Sequence, residues 1–132
     1  MKYNNFEELE NEHWATNLYH QTAIPNWFIT DGVKDLIEAF DCLFVFADLA
    51  TNKDVEKCVY GRYPRIEVKE VKGKKVCEFY VGKVDEEGDD DKNEIPFSTI
   101  ESPTLPLGTL RFEVGYGDAE GKIHIMALMS EH

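Results

Sequence analysis

The chain has 132 residues and sets 26 acidic side chains against 14 basic ones, for a formal net charge of −12. Its length suits one domain, spanning 1–132, that buries roughly two-thirds of its unfolded surface, and 42% hydrophobic with 30% charged residues places it among globular rather than disordered chains. A field of that sign repels nucleic-acid phosphates and anionic membrane surfaces, and no apolar run approaches the ~20 residues of a membrane span.

In chain order, 5–12 (NFEELENE) favours a short helix, with Asn4 or Asn5 as cap and acids in the first turns. Residues 13–26 read as irregular and aromatic, closing at Ile24-Pro25-Asn26, where proline discourages helix. Trp27-Phe28-Ile29 reads as a short strand or an extended approach. Val33, Leu36, Ile37 and Phe40 then recur at i, i+3, i+4 and i+7, the spacing of an amphipathic helix. Asp31 is placed to cap it, and Gly32 tolerates a tight entry. The run 42–51 (CLFVFADLAT) is apolar on every side, which suits a buried strand or a buried helix, and Asn52 to Lys57 reads as loop.

The second half alternates. Ile66 and Val68 turn at Lys72-Gly73 into Val76 to Val81, a hairpin. Leu110, Phe112, Val114 and Tyr116 alternate with Arg111 and Glu113, as in a sheet with one wet face. Asp118 to Gly121 turns into Ile123, Ile125, Ala127 and Met129; His124, Met126 and Leu128 on the other face make this a central strand covered on both sides. The expected fold is α+β: two or three N-terminal helices on a mainly antiparallel sheet of four or five strands. The helical face Val33, Leu36, Ile37, Phe40 is expected to pack on Phe112, Val114, Ile123 and Ile125.

Several apparent motifs lack the chemistry they suggest. DEEGDDDKNE (85–94) is acidic enough for calcium, but with Asp89 at loop position 1 a glutamate (Glu94) stands where glycine is needed, and Ile100 where a bidentate glutamate is needed. A solvated loop, held open by charge repulsion, is expected there. GYGDAEGK (115–122) has the wrong spacing for a phosphate loop, and Ile123 replaces the magnesium-binding hydroxyl. His13, His20, His124 and His132 show no metal-ligand pairing, and Cys42, Cys58 and Cys77 show no ligand spacing, so no metal or cofactor is implied. The start, MKYNNFEELENEH, has no apolar core of signal-peptide type. Reduced thiols in a cytoplasm are the expectation.

What remains is an aromatic segment and two acids. Trp14, Tyr19, His20, Trp27 and Asp31 are the candidate binding residues, since aromatic anchors dominate interfaces. Asp48 interrupts the most apolar run, as a hydrogen-bond acceptor or as a perturbed acid that could join His20 and Asp31 in acid–base chemistry. The residues LYHQTAIPNWFITDGVKDLIEAFDCLFVFADLATNK resemble the N-terminal signature of a family of small bacterial and phage proteins carrying a domain of unknown function. Tyr19, His20, Thr30, Asp31, Gly32, Val33 and Asp48 match its pattern, and the closing MSEH is similar to its Ser-Glu-aromatic ending. The acidic stretch 85–94 and Gln21 depart from it. The resemblance favours helix for 42–51 and implies a phage or mobile-element setting, with no activity attached. The favoured function is binding of a protein partner, as inhibitor or accessory factor, with a second copy of the chain as another candidate partner. The alternative is a small enzyme or small-ligand binder using His20, Asp31 and Asp48.

Overall fold

The structure is a computed structural model and describes residues 2–12, 17–20, 24–57, 63–83 and 85–131. The first helix, α1 (Phe6–Asn11), is opened by Asn5, whose side chain accepts the Glu8 N–H at 2.9 Å, while the Glu8 carboxylate accepts the Asn4 N–H at 2.8 Å. This is a capping box displaced by one residue. Then come β1 (Leu18–His20), β2 (Trp27–Thr30), α2 (Asp31–Phe40) and α3 (Leu43–Ala50). A single turn, α4 (Lys53–Glu56), is capped by the Asn52 side chain where a loop was expected. The remainder is β3 (Arg65–Val71), β4 (Lys74–Tyr80), β5 (Ser98–Glu101), β6 (Gly108–Tyr116) and β7 (His124–Leu128).

The α+β class is as expected, but among the described residues the sheet has seven strands, in the order β1-β2-β7-β6-β3-β4-β5, rather than four or five. Neighbours are antiparallel except β2 and β7, which run parallel. The two additional strands are short: β1 lies inside the segment read as irregular, and β5 has four residues. Neither is long enough for a period of two to stand out.

Registers show which face the helices cover. Phe112 pairs with Leu128, Val114 with Met126, Leu110 with Ile66, and Ile29 with Met126. These side chains share the face on which α2 packs through Val33, Leu36 and Phe40. Ile123 and Ile125 are therefore misplaced by the sequence reading: Ile125 belongs to the opposite face and is half-buried, while His124, Met126 and Leu128 enter the core. The α3 segment resolves to helix and spans the sheet, with Phe46 edge-on to Trp27 at 5.9 Å and Phe44 edge-on to Phe79 at 6.4 Å. Phe40, Phe46, Phe112, Leu36, Leu49 and Leu128 are all essentially buried, each contributing about 1.5–3 kcal/mol by leaving water.

Candidate functional site

Thr30-Asp31-Gly32 is an entry into α2, but not the one expected. Thr30, not Asp31, occupies the N-cap position, and its side chain makes no capping bond. Its hydroxyl donates instead to Glu131 Oε1 at 2.5 Å, and the Gly32 N–H donates to Glu131 Oε2 at 3.1 Å. The same carboxylate accepts the Leu128 N–H at 2.8 Å. A glutamate from the far end of the chain thus caps α2, where the helix dipole favours negative charge. Asp31 accepts the backbone and side-chain N–H groups of Asn17 at 3.2 and 3.3 Å. It also bonds the Tyr19 hydroxyl, the main reason that phenol is held above its ordinary pKa. Asp31 ties down the edge strand β1.

The other sequence candidates scatter. Tyr19 pairs with Ile29 on the helix-covered face, with Lys34 Nζ 5.0 Å from its ring centroid. His20 falls on the opposite face against Phe28, ring centroids 5.3 Å apart. Trp27, expected at a binding surface, is 2% exposed and belongs to the core. Trp14 lies outside the described residues. Asp48 is half-buried on α3, without a hydrogen-bond partner for its carboxylate among the described residues, so it is not the buried acceptor expected; burial raises its pKa. No bond among the described residues joins His20, Asp31 and Asp48. Cys42 and Cys77 are buried free thiols, each pushed up to about 12 chiefly by burial and so unreactive. Cys58 lies outside the described residues. No cluster of three or more metal-ligating side chains occurs among the described residues, and none of the described helices is long and apolar enough to cross a membrane.

A broad concavity lies elsewhere, on the sheet face opposite the helices. It is a groove of about 1030 Å³ over β4, β3 and β6, lined by the acidic stretch 88–92 with Glu94 and also by Glu10, Met129 and Ser130. Register explains its chemistry. Arg65 stands directly opposite both Tyr80 and Arg111, and like charges across a strand pair are unfavourable. The acidic stretch resolves the conflict. Glu94 Oε1 accepts from Arg65 Nη1 at 3.2 Å, Asp90 pairs with Arg111, and Glu67 accepts from Arg65 Nε at 2.9 Å. The Arg65 guanidinium also covers the Tyr80 ring at 4.1 Å.

The expectation of an open, self-repelling loop is thus corrected. Glu94 also accepts the N–H groups of Gly82 and Lys83, at 3.2 and 2.9 Å, and the Asp91 N–H donates to the Lys83 carbonyl at 3.0 Å. Two sheet arginines neutralise part of the charge and hold the loop. Glu10, Asp89 and Asp91 line the groove without an ion pair among the described residues. Burial raises the Glu10 carboxyl, with a Ser130 hydrogen bond and the Arg111 charge opposing. Sequence reasoning missed Arg65, Tyr80 and Arg111 because only the register brings them together; Arg65 and Arg111 on the wet face of alternating strands were the available signal.

No family model matches the chain, and neither the curated proteins nor the solved structures compared with it give a match.

Proposed function

We propose that the protein acts by binding a protein partner, and that the groove over β4, β3 and β6 receives a lysine- or arginine-rich segment of it. The observation that supports this most is the distribution of charge in the groove. Arg65 and Arg111 are engaged by the chain's own carboxylates and Lys69 by Glu78, which leaves Glu10, Asp89 and Asp91 against Lys92 in the groove lining, an acidic excess for an incoming cation. The whole-molecule charge of −12 has the same sign. Clustered rim charge raises association rates and is screened by salt. A second copy of the chain, equally acidic, is a poorer occupant. The acid–base reading of His20, Asp31 and Asp48 loses support from their separate placement. A cytoplasmic phage or mobile-element setting, as inhibitor or accessory factor, belongs to the proposal and rests on the sequence resemblance.

The test is affinity capture from host lysate, followed by association kinetics of the captured protein with the native chain and with Asp89→Lys alone and combined with Asp91→Lys. Charge reversal should slow association several-fold at low salt and leave dissociation nearly unchanged. Association insensitive to both the reversal and ionic strength would reduce the acids to a solubilising role and overturn the proposal.

A further inference from the structure

A second, smaller cavity of about 250 Å³ opens where the first residues of β2 and β7 meet the end of α3 and α4. Its apolar walls include Ile24, Pro25 and Ala50, and its polar groups include Glu56, Lys122 and His124. His124 is 6% exposed, its ring stacked on Trp27 with centroids 4.9 Å apart and planes 26° apart. Its Nε2 lies 3.6 Å from Glu56 Oε1, within reach of an ion pair. The backbone beside it makes a Pro25-Asn26 turn. Asn26 holds a φ of 68°, and its carbonyl accepts the His124 N–H at 2.9 Å.

A carboxylate, an ammonium and an apolar wall around so small a volume define a ligand class. We propose that this cavity binds a free α-amino acid with an aliphatic side chain. The ligand ammonium meets Glu56, whose side chain is 51% exposed and so reachable, and His124 lies on the buried side of that carboxylate. The ligand carboxylate meets Lys122. That lysine pairs with Glu120 at 2.9 Å, both side chains largely exposed, and an exposed pair of this kind exchanges partners readily. The aliphatic side chain lies against Ile24, Pro25 and Ala50. An N-terminal residue of a peptide shares the ammonium and side chain but lacks the adjacent carboxylate, so the Lys122 contact favours the free amino acid. The site is independent of the groove and of the proposed protein partner.

The experiment is an amide NMR titration of the full chain with each common amino acid. It continues with leucine against leucinamide, 4-methylpentanoate and the dipeptide Leu-Gly. Leucine should give saturable shifts centred on Ala50, Thr51, Lys122 and His124, and removing either ligand charge should weaken binding by about tenfold or more. Glu56→Gln and Lys122→Met should each weaken leucine to a similar degree while leaving the rest of the spectrum and the melting temperature in place. The proposal is overturned by the lack of any saturable shift up to about 10 mM, well beyond a millimolar dissociation constant. It is equally overturned if the charge-deleted ligands or variants bind as well as the native pair. Leu-Gly binding as tightly as leucine would assign the site to peptide N-termini instead.

Discussion

Gly32 and Glu131, 99 residues apart in the chain, meet through a 3.1 Å hydrogen bond from the glycine N–H to the carboxylate. A Cβ added at Gly32 would lie 2.5 Å from Glu131 Oε1 and 2.8 Å from Leu128 Cδ1. In an exposed helix, glycine to alanine is worth up to about 1 kcal/mol of stabilisation. Here the sign should reverse, because overpacking costs about 1–3 kcal/mol. Urea denaturation should show Gly32→Ala destabilised, Glu131→Ala destabilised by about 1–3 kcal/mol through unsatisfied buried donors, and the double variant less destabilised than the sum. Strict additivity would mean that the two residues do not share one contact.

For Asp31, a cap and a strand anchor predict different substitution patterns. A capping aspartate would be replaced by serine at little cost. Because the carboxylate reaches Asn17 and Tyr19 instead, Asp31→Ser should lose as much as Asp31→Ala, about 1 kcal/mol, and Asp31→Asn should lose less. Hydrogen exchange at the Asn17 amide should accelerate in the serine and alanine variants alone.

How much of this was legible in the sequence depends on range. The α2 stripe Val33, Leu36, Ile37, Phe40 and the alternation through Leu110, Phe112 and Val114 are local patterns, and both elements are present. The β7 segment is apolar on both faces, so alternation could not decide whether Ile125 or Met126 turned inward; helix packing did. Trp27 shows the same ambiguity, since a large aromatic serves a core and an interface equally well. The Glu131 cap and the Arg65–Tyr80–Arg111 row exist only through long-range pairing and register. Residue types announced them, but no spacing did.

Asp48 should make stability depend on pH. Burial raises its folded-state pKa above the ordinary carboxylate value, so the folded state binds the proton more tightly than the unfolded state does. The contribution is fully present below the unfolded pKa and is lost as pH rises through the folded one. Asp48→Asn removes that loss. Denaturation midpoints of the variant should exceed those of the native chain near neutral pH, and the difference should shrink toward pH 3. A difference independent of pH would assign the effect to packing.

The thiols at Cys42 and Cys77 should be silent while the protein is folded. Both are fully buried, and burial pushes both thiols up to about 12, leaving almost no thiolate at neutral pH. In a Cys58→Ser background, labelling by a thiol reagent should follow global unfolding and accelerate with denaturant as the unfolded population grows. Rapid labelling under native conditions would show local opening of the α2–α3 junction or of β4.

The buried pair Arg65–Glu94 should be the most sensitive point of the groove. Both side chains are 4% exposed, and their polar atoms meet at 3.2 Å. Breaking such a pair strands the remaining charge in a poorly solvated site, at about 3–5 kcal/mol. Arg65→Met keeps the approximate shape of the side chain but abandons Glu94, so its cost should approach that range. Glu94→Gln retains an oxygen for the Gly82 and Lys83 N–H groups and removes only the charge, so it should cost less than Glu94→Ala, which strands those donors as well. The double variant Arg65→Met/Glu94→Gln should recover part of the loss, since neither charge is then left alone. Arg111→Ala, at a side chain 42% exposed and paired to Asp90, should cost about 1 kcal/mol or less. Urea denaturation gives the coupling, and amide exchange at Gly82 and Lys83 reports whether the acidic loop has come away from the sheet. If the two single losses simply add and those amides stay protected, the loop is held by its own turns and not by the arginine beneath it.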